Sequence, residues 1–418
     1  MIDIKAEILT IGDEILYGQI TDTNSQWISS ELDKIGIKII RKTAIGDQES
    51  EIISTFKEAE NRAEIIIITG GLGPTHDDLT KACLAKYFDC ELVLNQEALD
   101  ELTTLFTKFG REVNETNRQQ AYLPEKCNKI SNKVGTAPGM WFDKGSKVFV
   151  SMPGVPIEMK KMMTDSVIPR LREKFNTPVI IHKFIKTIGI GESWLSDKLI
   201  NWEKALPDHI KLAYLPSLGQ VRLRLTGKGS NEDNLEDEIE QEVDKLKKVA
   251  SKYIYGYNDD TIENAVGQLL LKNKKTIATA ESCTGGHLAH RITSIPGSSN
   301  YFQGGVIPYN NDIKEDLLAV KHDTLLNHGA VSKETVEEMA NNVRTMFNAD
   351  IGVACSGIAG PSGGTKEKPV GTIWIALKDE QGTISKMLTF GNDRMINIQL
   401  TTLALLNLIR QRLIKNNG

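Results

Sequence analysis

A serine and a threonine follow a predicted buried strand in the segment TAESCTGG, residues 279–286, whose first residues overlap the apolar run TIATA. A strand that runs into a glycine-containing turn and then a helix can project one side chain into solvent beside converging backbone N–H groups. Ser282 lies where a nucleophile attacking a carbonyl carbon would lie. The pattern is also typical of a helix N-cap, in which Ser282 or Thr284 accepts a backbone hydrogen bond. The segment by itself leaves both alternatives open.

A nucleophilic serine needs a base, because its hydroxyl attacks poorly at neutral pH while it holds its proton. His287 and His290 lie within the helix that Ser282 is predicted to precede, so their side chains lead away along that helix. Neither histidine has a clear acidic residue to orient it, as a Ser-His-Asp triad requires. The base is therefore sought elsewhere in the chain.

Lys314 lies shortly after a predicted strand, in the segment GGVIPYNNDIKEDLL. The strand ends near Tyr309, and Asn310 or Asn311 can cap the helix whose first turns hold the lysine. The positive end of the helix dipole and burial both disfavour an ammonium, so each lowers the pKa of the amine. Lys314 is therefore a candidate general base, and the alternative is a solvent-exposed lysine on a helix surface.

A glycine-rich loop, SGIAGPSGGTKEKPVGT, begins at the end of the predicted strand IGVAC and contains Ser356, Gly357 and Gly360. Small residues let backbone amides approach a ligand closely, and such amides suit an oxyanion or a phosphate. The segment FGNDR adds Arg394 near the end of the last predicted strand, where a guanidinium can hold a phosphate through two hydrogen bonds. A flexible loop and a surface arginine are the alternatives for these residues.

A second glycine-rich loop lies in the N-terminal part of the chain, after the predicted buried strand EIIIIT. It contains Gly70, Gly71 and Gly73, and Thr75 follows before the next predicted helix. Backbone N–H groups and the helix dipole attract a phosphate at such a loop. These residues are therefore predicted to bind the phosphate groups of a nucleotide.

Acidic residues accompany this loop, with Asp77 and Asp78 at the opening of the helix and Asp13 after the first predicted strand. Carboxylates repel a phosphate, whereas Mg²⁺ commonly binds one or two carboxylates together with substrate phosphates and waters. Asp13, Asp77 and Asp78 are therefore candidate ligands of a divalent metal such as Mg²⁺, and Asn24, in the next polar turn, is a candidate nucleotide contact. Helix capping by Asp77 and Asp78 explains the same acids equally well.

The composition is that of an ordinary globular protein, with 418 residues, 40% of them hydrophobic and 25% charged. A net charge of -5 argues against broad binding to nucleic acid or to an anionic membrane. The start of the sequence lacks a signal-peptide pattern and no apolar stretch approaches membrane-spanning length, so we expect a cytoplasmic location. The five cysteines form no C-x-x-C pair and are expected to be reduced thiols.

The elements that must position these residues alternate between apolar runs and helical patterns up to about residue 175, which predicts a parallel sheet covered by helices on both faces. A shorter segment follows with the pattern of a small α+β domain, whose last helix, NEDNLEDEIEQEVDKLKKVA, has one apolar stripe. Strands and helices alternate again from about residue 260. The predicted fold class is α/β, with two three-layer α/β sandwich domains joined by a small α+β domain.

Five segments of the C-terminal part, TAESCTGG, GSSNYFQGGVIPYNNDIK, GAVS, SGIAGPSGGTKEKPVGT and GNDR, resemble in their order the nicotinamide-nucleotide amidase domain of the CinA family (competence/damage-inducible protein A). The resemblance implies hydrolysis of the carboxamide of nicotinamide mononucleotide to nicotinate mononucleotide and ammonia, by a serine–lysine mechanism without a metal or other cofactor. The roles that it implies are nucleophile for Ser282, general base for Lys314, substrate-orienting or proton-relaying group for Tyr309, oxyanion contact for Ser356, phosphate contact for Arg394, and further substrate contacts for Thr284, Gly285, Gly357 and Gly360.

One position departs from the family pattern. Many members carry a second arginine four residues beyond the position of Arg394, where this chain has Ile398. Lys366 and Lys368 in the neighbouring loop are candidates to compensate for the missing charge, and the alternative is that this charged, glycine-rich loop is disordered without ligand.

The N-terminal segments, together with VGTAPGMW and SMPGVPIEM, resemble the molybdopterin-binding-like domain of full-length CinA proteins. That resemblance implies either a divalent-metal-dependent ADP-ribose pyrophosphatase, which releases AMP and ribose 5-phosphate, or a pterin- or nucleotide-binding module. The middle segment resembles the small KH-like domain of the family but lacks a convincing G-x-x-G clamp, so RNA binding is not expected. The domains are predicted at 1–172 (molybdopterin-binding-like), 173–253 (KH-like) and 257–418 (amidase).

The combined expectation is a bifunctional enzyme of pyridine-nucleotide salvage, with deamidation in the third domain and ADP-ribose cleavage in the first. Its partners are then small-molecule pyridine nucleotides and ADP-ribose, with no nucleic acid and no membrane, and the resemblance suggests a homodimer. The alternative is a non-catalytic nucleotide- or pterin-binding adaptor linked to competence or to the DNA damage response.

Overall fold

The computed structural model of this chain describes residues 4–75 and 78–415. In that part of the chain, no helix combines the length and the apolar character needed to cross a membrane. The backbone forms two compact units, which comprise Met1–His182 with Gly227–Asp237 and Lys183–Thr226 with Glu238–Gly418.

The first unit is built on a six-stranded sheet of order β2-β1-β3-β8-β7-β6. The strands of the unit are β1 (Lys5–Ile11), β2 (Lys38–Ile45), β3 (Ile65–Thr69), β4 (Leu92–Leu94), β5 (Tyr122–Pro124), β6 (Asn128–Ile130), β7 (Gly139–Lys144) and β8 (Lys147–Met152). β1 pairs in parallel with β2 and β3, and β3 pairs in parallel with β8, whereas β7 is antiparallel to both of its neighbours. β4 and β5 form a separate antiparallel pair.

Helices connect these strands, because parallel neighbours need a crossover. They are α1 (Asp13–Leu16), α2 (Thr23–Lys34), α3 (Glu49–Arg62), α4 (Thr80–Tyr87), α5 (Gln96–Lys108), α6 (Glu115–Arg118), α7 (Pro156–Met162) and α8 (Ile168–Phe175), with a 3-10 turn at Gln119–Ala121 and a π-helical stretch at Met163–Val167. Side-chain caps fix where some of them begin: Asp22 accepts from Ser25 N at α2, and Asn95 accepts from Ala98 N at α5.

The helices cover both faces of the sheet, since alternate strand residues belong to two separate cores. Ile65 and Ile67 of β3 pack with α2, α7 and α8, whereas Ile66 and Ile68 pack with α3, α4 and α5. All four side chains are fully buried. The three-layer α/β sandwich predicted for the N-terminal part is therefore confirmed.

A small four-stranded sheet of order β10-β11-β9-β12 follows along the chain. Its strands are β9 (Val179–Ile188), β10 (Ile210–Ser217), β11 (Gln220–Gly229) and β12 (Ile254–Tyr257), and its helices are α9 (Glu192–Lys204) and α10 (Glu232–Ala250). The apolar stripe predicted for α10 is buried, with Leu235, Ile239, Val243 and Leu246 at most 3% exposed. This segment has the α+β character expected of it.

The C-terminal part of the second unit has a five-stranded sheet of order β14-β13-β15-β16-β17. Its strands are β13 (Ile277–Glu281), β14 (Phe302–Val306), β15 (Ile351–Gly357), β16 (Thr372–Asp379) and β17 (Gly382–Thr389). Its helices are α11 (Ile262–Asn273), α12 (His287–Thr293), α13 (Asn311–Asp316), α14 (His322–His328), α15 (Lys333–Met346) and α16 (Arg394–Lys415), with a 3-10 turn at Ser298–Asn300.

Helices again cover both faces of this sheet. Ile277 of β13 packs with α11, α12 and α16, whereas its neighbour Ala278 packs against α15. The alternation follows the two-residue period of an extended strand. The second predicted sandwich is therefore confirmed, and its strands β14, β13 and β15 are parallel neighbours, with β14 at the edge of the sheet.

Candidate active site

Three neighbouring strand ends bring the C-terminal candidate residues together. Because β14, β13 and β15 run in parallel, their carboxyl ends lie at one edge of the sheet. Ser282 directly follows β13, Tyr309 follows β14, and Ser356 lies near the end of β15. Ser282 N donates to Cys355 O over 3.1 Å, which holds two of these strand ends in contact. Residues that are far apart in the sequence therefore meet at one edge.

The turn after β13 gives Ser282 a defined position. Ser282 is 8% exposed, and its hydroxyl has no hydrogen-bond partner among the described residues. Gly285 and Gly286 have φ angles of 62° and 94°, which residues with side chains rarely adopt. A Cβ atom on Gly286 would lie 2.9 Å from Cδ1 of Ile307, so glycine also permits the turn to approach the segment after β14. That segment leads to the helix that contains Lys314.

Glu281, the last residue of β13, caps the following helix from within the strand. Its carboxylate is buried and accepts hydrogen bonds from Thr284 Oγ1 (2.6 Å), Leu288 N (2.9 Å) and Ala289 N (2.7 Å). A carboxylate at the start of α12 is also favoured by the helix dipole. The N-cap position itself is a glycine without a side-chain cap, so the helix-cap alternative for Ser282 is wrong.

The same turn leaves backbone donors beside the serine hydroxyl. The Thr284 side chain faces the interior, with its oxygen 3.1 Å from Cys355 Sγ in addition to its bond with the carboxylate. The backbone is therefore the part of Thr284 that can meet a substrate. The amide N–H groups of Cys283, Thr284 and Gly286 donate to no acceptor among the described residues. Converging amides next to a nucleophile suit the oxyanion of a tetrahedral intermediate.

Lys314 is 1% exposed, so the alternative of an exposed surface lysine is wrong. Asn310 caps α13 as predicted, its side chain accepting from Asp312 N. Lys314 Nζ donates to the Pro308 carbonyl over 2.9 Å. Burial lowers the pKa of Lys314, an effect that the nearby Cys283 thiol opposes. A lysine that is driven towards its neutral form can accept a proton.

Arg394 joins two other predicted site residues. Its Nη2 atom donates to the Tyr309 hydroxyl over 2.7 Å, and its Nη1 atom donates to the Gly360 carbonyl over 2.8 Å. Arg394 is the first residue of α16 and is exposed, and Tyr309 is 60% exposed. Both side chains can therefore be reached from solvent, and the guanidinium can exchange these neutral acceptors for an anion.

The remaining predicted contacts also have positions that internal packing explains. Ser356 Oγ donates to the Ala330 carbonyl over 2.6 Å and is buried. A Cβ atom on Gly357 would lie 2.5 Å from Cγ1 of Ile373, so glycine allows β15 and β16 to pack closely there. Gly360 has a φ angle of 89°. The roles of these residues towards a substrate stay predictions.

Ile398, at the position that departs from the family pattern, is uncharged and packs against the apolar core. It therefore offers no hydrogen bond to a phosphate. Lys368 Nζ donates to the His328 carbonyl over 2.8 Å, and Lys366 is exposed. Of the three basic residues predicted at the phosphate, Arg394 is the one that contacts other predicted site residues in the described part of the chain.

The histidines of α12 have other surroundings. His287 Nδ1 lies 2.8 Å from Thr402 Oγ1 of α16, and burial lowers the pKa of His287. His290 is exposed. Neither contact belongs to a Ser-His-Asp triad, in agreement with the choice of a lysine as base.

The first unit contains a cleft of about 510 Å³ at the carboxyl ends of its parallel strands. Gly70, Gly71, Gly73, Asn24 and Asp78 all line this cleft. Open α/β sheets commonly bind ligands outside the carboxyl ends of their strands. Most of the predicted nucleotide-binding residues are thus brought to one crevice.

The orientation of the Asn24 amide in this cleft is fixed by its neighbours. Its Nδ2 atom donates to the Gly154 carbonyl over 2.7 Å and to Thr69 Oγ1 over 3.1 Å. Thr69 Oγ1 in turn donates to the Pro153 carbonyl. Because carbonyl oxygens only accept, the nitrogen of the Asn24 amide must face Gly154.

The predicted metal ligands do not assemble in the described part of the chain. The Asp78 carboxylate accepts from Gly73 N (2.7 Å) and Thr75 N (3.0 Å), which closes the glycine-rich loop. The helix-cap alternative is wrong for Asp78, because the N-cap of α4 is Leu79 and has no side-chain cap. Asp13 is not one of the described residues that line the cleft. Asp77 lies outside the described residues. Within those residues, no three His, Cys, Asp or Glu side chains are grouped to hold a metal ion, and the metal site of the first unit stays a prediction.

Glu281 is the site residue that the sequence motifs alone do not single out. Strand periodicity carries the signal, because Ile277 and Glu281 of β13 lie on the same face. Ile277 packs with α12, the helix that Glu281 caps. A carboxylate at that position of the strand must therefore find donors at the start of the helix.

The fold and the two candidate sites define an α/β protein. One sandwich has a ligand-sized cleft, and the other has a serine and a buried lysine near the carboxyl ends of its parallel strands. Three family profiles match consecutive parts of the chain: "Probable molybdopterin binding domain" at residues 7–173, "Damage-inducible protein CinA KH domain" at 182–256 and "CinA C-terminal domain" at 259–413. The KH-like domain expected between the two sandwiches is thereby confirmed.

Relatives match over nearly the entire length. The chain is 54% identical to a CinA-like protein of Cytophaga hutchinsonii over 410 residues, which cover 98% of each chain. It is 44% identical to a CinA-like protein of Flavobacterium psychrophilum over 415 residues, which cover 99% of each chain. The protein belongs to the CinA family, as the sequence motifs predict.

Solved structures match parts of the chain. The crystal structure of a competence-damaged protein (CinA) superfamily protein from Klebsiella pneumoniae shares 30% identity, has a TM-score of 0.36 and covers 37% of this chain and 96% of its own. The crystal structure of the molybdopterin biosynthesis enzyme MoaB from Thermus thermophilus shares 16% identity, has a TM-score of 0.29 and covers 42% of this chain and 99% of its own.

Proposed function

We propose that the C-terminal site hydrolyses the carboxamide of nicotinamide mononucleotide and yields nicotinate mononucleotide and ammonia. The observation that carries the proposal is the buried amine of Lys314, which has no carboxylate partner among the described residues and whose pKa is lowered by burial. A lysine whose pKa is lowered, at the same sheet edge as an unpaired serine hydroxyl, is suited to general-base catalysis. Membership of the CinA family supports the same chemistry.

The reaction begins when the Lys314 amine takes the proton of the Ser282 hydroxyl and Oγ attacks the carboxamide carbon. The carbonyl π electrons move to oxygen, and this oxyanion accepts hydrogen bonds from the unpaired amides of the turn after β13. Losing one such donor typically raises the barrier by about 2.7–4 kcal/mol. The site thereby offers stabilisation at the atom where negative charge develops.

The intermediate collapses when the C–N bond breaks and the Lys314 ammonium gives its proton to the leaving nitrogen, which departs as ammonia. An ester then joins Ser282 Oγ to the nicotinoyl carbon. Lys314 next takes a proton from water, whose oxygen attacks the ester carbonyl. When the ester C–O bond breaks, Ser282 Oγ takes the proton from Lys314, and the carboxylic acid that forms loses its remaining proton to solvent as the carboxylate product.

Ammonia release from nicotinamide mononucleotide by the full chain tests this function. Ser282→Ala removes the nucleophile and should lower the rate by roughly 10⁴-fold or more without unfolding the protein. Ser294→Ala is the matched control, because Ser294 is exposed at the end of α12 and its hydroxyl donates to the Arg291 carbonyl. A wild-type protein that releases no ammonia overturns the function, whereas full activity of Ser282→Ala removes Ser282 from the mechanism.

A second candidate function concerns the first unit, where we propose metal-dependent cleavage of ADP-ribose to AMP and ribose 5-phosphate. The cleft combines the glycine-rich loop, in which the amides of Gly71 and Leu72 have no acceptor among the described residues, with an acidic lining. Its carboxylates are Glu14, Asp22, Asp47, Asp78 and Glu158, and no lysine or arginine occurs among the described lining residues. These carboxylates repel a diphosphate unless a cation lies between them, which supports metal dependence.

AMP release from ADP-ribose, with and without a chelator, tests the second function. Gly71→Ala should abolish AMP release, since a Cβ atom there would lie 2.2 Å from Thr80 Oγ1. Gly110→Ala is the matched control, because Gly110 has nearly the same φ angle, 65° against 63°, but open space around its Cβ position. Binding of a nucleotide or pterin without AMP release under any divalent cation would favour the adaptor alternative.

A further inference from the structure

Arg394 already uses both terminal nitrogens of its guanidinium on neutral oxygens. Nη2 donates to the Tyr309 hydroxyl over 2.7 Å and Nη1 to the Gly360 carbonyl over 2.8 Å. A phosphate oxygen carries negative charge, so it attracts the guanidinium more strongly than the neutral oxygens of Tyr309 and Gly360 do, and the fork geometry favours two bonds at once. A phosphate that binds the two terminal nitrogens through this fork therefore competes with the Tyr309 hydroxyl for Arg394.

Tyr309 lies in a short segment that contacts the rest of the candidate site. Its neighbour Pro308 accepts the hydrogen bond of Lys314 Nζ at 2.9 Å. Ile307 approaches the turn that holds Ser282, since its Cδ1 lies 2.9 Å from the position that a Cβ atom on Gly286 would take. Tyr309 N donates to the Ile307 carbonyl over 2.9 Å, so the segment 307–309 is compact. A shift of Tyr309 would therefore move Pro308, which contacts Lys314, and Ile307, which contacts the turn that holds Ser282.

We propose that the Tyr309–Arg394 hydrogen bond is a phosphate-operated latch that makes amide hydrolysis depend on the phosphate of the substrate. The phosphate withdraws Arg394 from Tyr309, and the freed hydroxyl then orients the carboxamide. This inference rests on the proposed amidase function and deepens it. The site thereby distinguishes a phosphorylated pyridine nucleotide from the corresponding nucleoside by rate and not only by affinity.

A latch differs measurably from a simple phosphate contact. If Arg394 only bound the phosphate, a nucleoside substrate would lack affinity and a separate phosphate ion would merely compete with the nucleotide. If Arg394 also restrains Tyr309, a separate ion at Arg394 must activate a substrate that has no phosphate of its own. Coupling between two bound groups typically changes affinity or rate by about 5- to 150-fold.

The test uses the full chain and two substrates, nicotinamide mononucleotide and nicotinamide riboside, which differ in the phosphate. Inorganic phosphate, at constant ionic strength, should raise kcat/KM for the riboside by at least about fivefold. Arg394→Gln should lose this activation because the ion is no longer held. Tyr309→Phe should still bind the ion, seen as competition with the nucleotide, but should also lose the activation. Arg118→Gln, at an exposed arginine of α6, is the control and should keep it.

Two outcomes would overturn the latch. One is a wild-type protein in which inorganic phosphate competes with the nucleotide but never activates the riboside. The other is a Tyr309→Phe variant that keeps the full activation, because the effect would then bypass the tyrosine.

A spectroscopic measurement tests the latch independently of turnover. The chain has nine tyrosines, and after incorporation of 3-fluorotyrosine the ¹⁹F resonance missing from Tyr309→Phe belongs to Tyr309. Saturation with inorganic phosphate should shift that resonance in the wild type and leave it unchanged in Arg394→Gln. If the Tyr309 resonance shifts with phosphate but the protein releases no ammonia, the amidase function alone is rejected. If the resonance does not shift in the phosphate-bound wild type, the latch is rejected.

Discussion

The amine of Lys314 and the carbonyl of Pro308 form a 2.9 Å hydrogen bond inside the protein, just after β14. One neutral acceptor does not offset the cost of burying an ammonium, so the group responds by a lowered pKa. Buried ionisable groups with shifted pKa values cluster at functional sites. The position of this pair, at the same sheet edge as Ser282, is the main physical reason for proposing a hydrolytic serine.

The pH dependence of ammonia release should report Lys314. Catalysis requires its neutral amine, so kcat/KM should rise with pH as the lysine loses its proton. Because burial lowers the pKa of Lys314, the rise should be centred below the ordinary pKa of a lysine. Lys314→Arg keeps its proton at every accessible pH and should lose about 10²- to 10⁴-fold in rate.

The matched control is Lys321→Arg, at an exposed lysine just before α14. Its pH profile should superimpose on that of the wild type. A profile without an alkaline rise in the wild type, or an active Lys314→Arg variant, would remove Lys314 as the base.

Glu281→Gln should loosen the start of α12. The carboxylate accepts three hydrogen bonds while 1% exposed, and an amide can supply only one acceptor oxygen while its NH₂ group faces a donor. Hydrogen bonds to a charged group contribute about 1.5–3 kcal/mol, so native-state exchange of the Leu288 and Ala289 amides should accelerate accordingly.

The control for this change is Glu380→Gln, at an exposed carboxylate paired with Lys275. Surface ion pairs contribute about 0–1 kcal/mol, so its effect on exchange at α12 should be undetectable. Equal exchange rates in the wild type and in Glu281→Gln would mean that the helix start is held by other contacts.

The turn after β13, which holds Ser282, should protect Cys283 from alkylation. A hydrogen bond with Cys355 and burial both raise the pKa of the Cys283 thiol, and the thiolate is the reactive form. Iodoacetamide should therefore modify the partly exposed Cys90 well before Cys283 in the folded protein, as peptide mass spectrometry can measure. After unfolding in urea, both should react at similar rates. Rapid labelling of Cys283 in the native protein would show that the turn opens.

Sequence periodicity predicts both sandwiches because apolar alternation decides which strand face each helix covers. It also predicts an asparagine cap at Asn310 or Asn311, and Asn310 is the residue that caps α13. The burial of Lys314 is not decided locally, because it depends on tertiary packing around α13. Short-range patterns therefore define the elements, while the environment of the base requires the assembled fold.

Contacts between distant residues are the part that a sequence pattern cannot supply. Tyr309 and Arg394 are separated by 85 positions, yet they share one hydrogen bond. Each is predicted from its own motif, and neither motif indicates that the two side chains restrain each other. The hydrogen bonds from the start of α12 to the Glu281 carboxylate are missed for a related reason. The sequence does not define the shape of the turn that lies between Glu281 and the helix.

Asn24→Asp provides a pH-dependent test of the cleft in the first unit. The native amide is 7% exposed and its nitrogen donates to the Gly154 carbonyl over 2.7 Å. A carboxylate would instead bring two acceptors together in a buried place, so the unit should lose about 3 kcal/mol of unfolding free energy. Hydrogen exchange of the β3 amides measures this loss.

The sign of the pH effect follows from the same contact. Burial and the facing carbonyl raise the pKa of the introduced carboxyl in the folded state above its unfolded value. The deficit relative to the wild type should therefore grow as pH rises through the ordinary aspartate range, and it should shrink in acid, where the protonated group can donate to Gly154. Asn114→Asp, at the exposed N-cap of α6, should change stability by less than about 0.5 kcal/mol. A deficit of Asn24→Asp that is the same in acid and at neutral pH would mean that the amide nitrogen does not face Gly154, and the hydrogen-bond network that shapes the cleft would then be wrong.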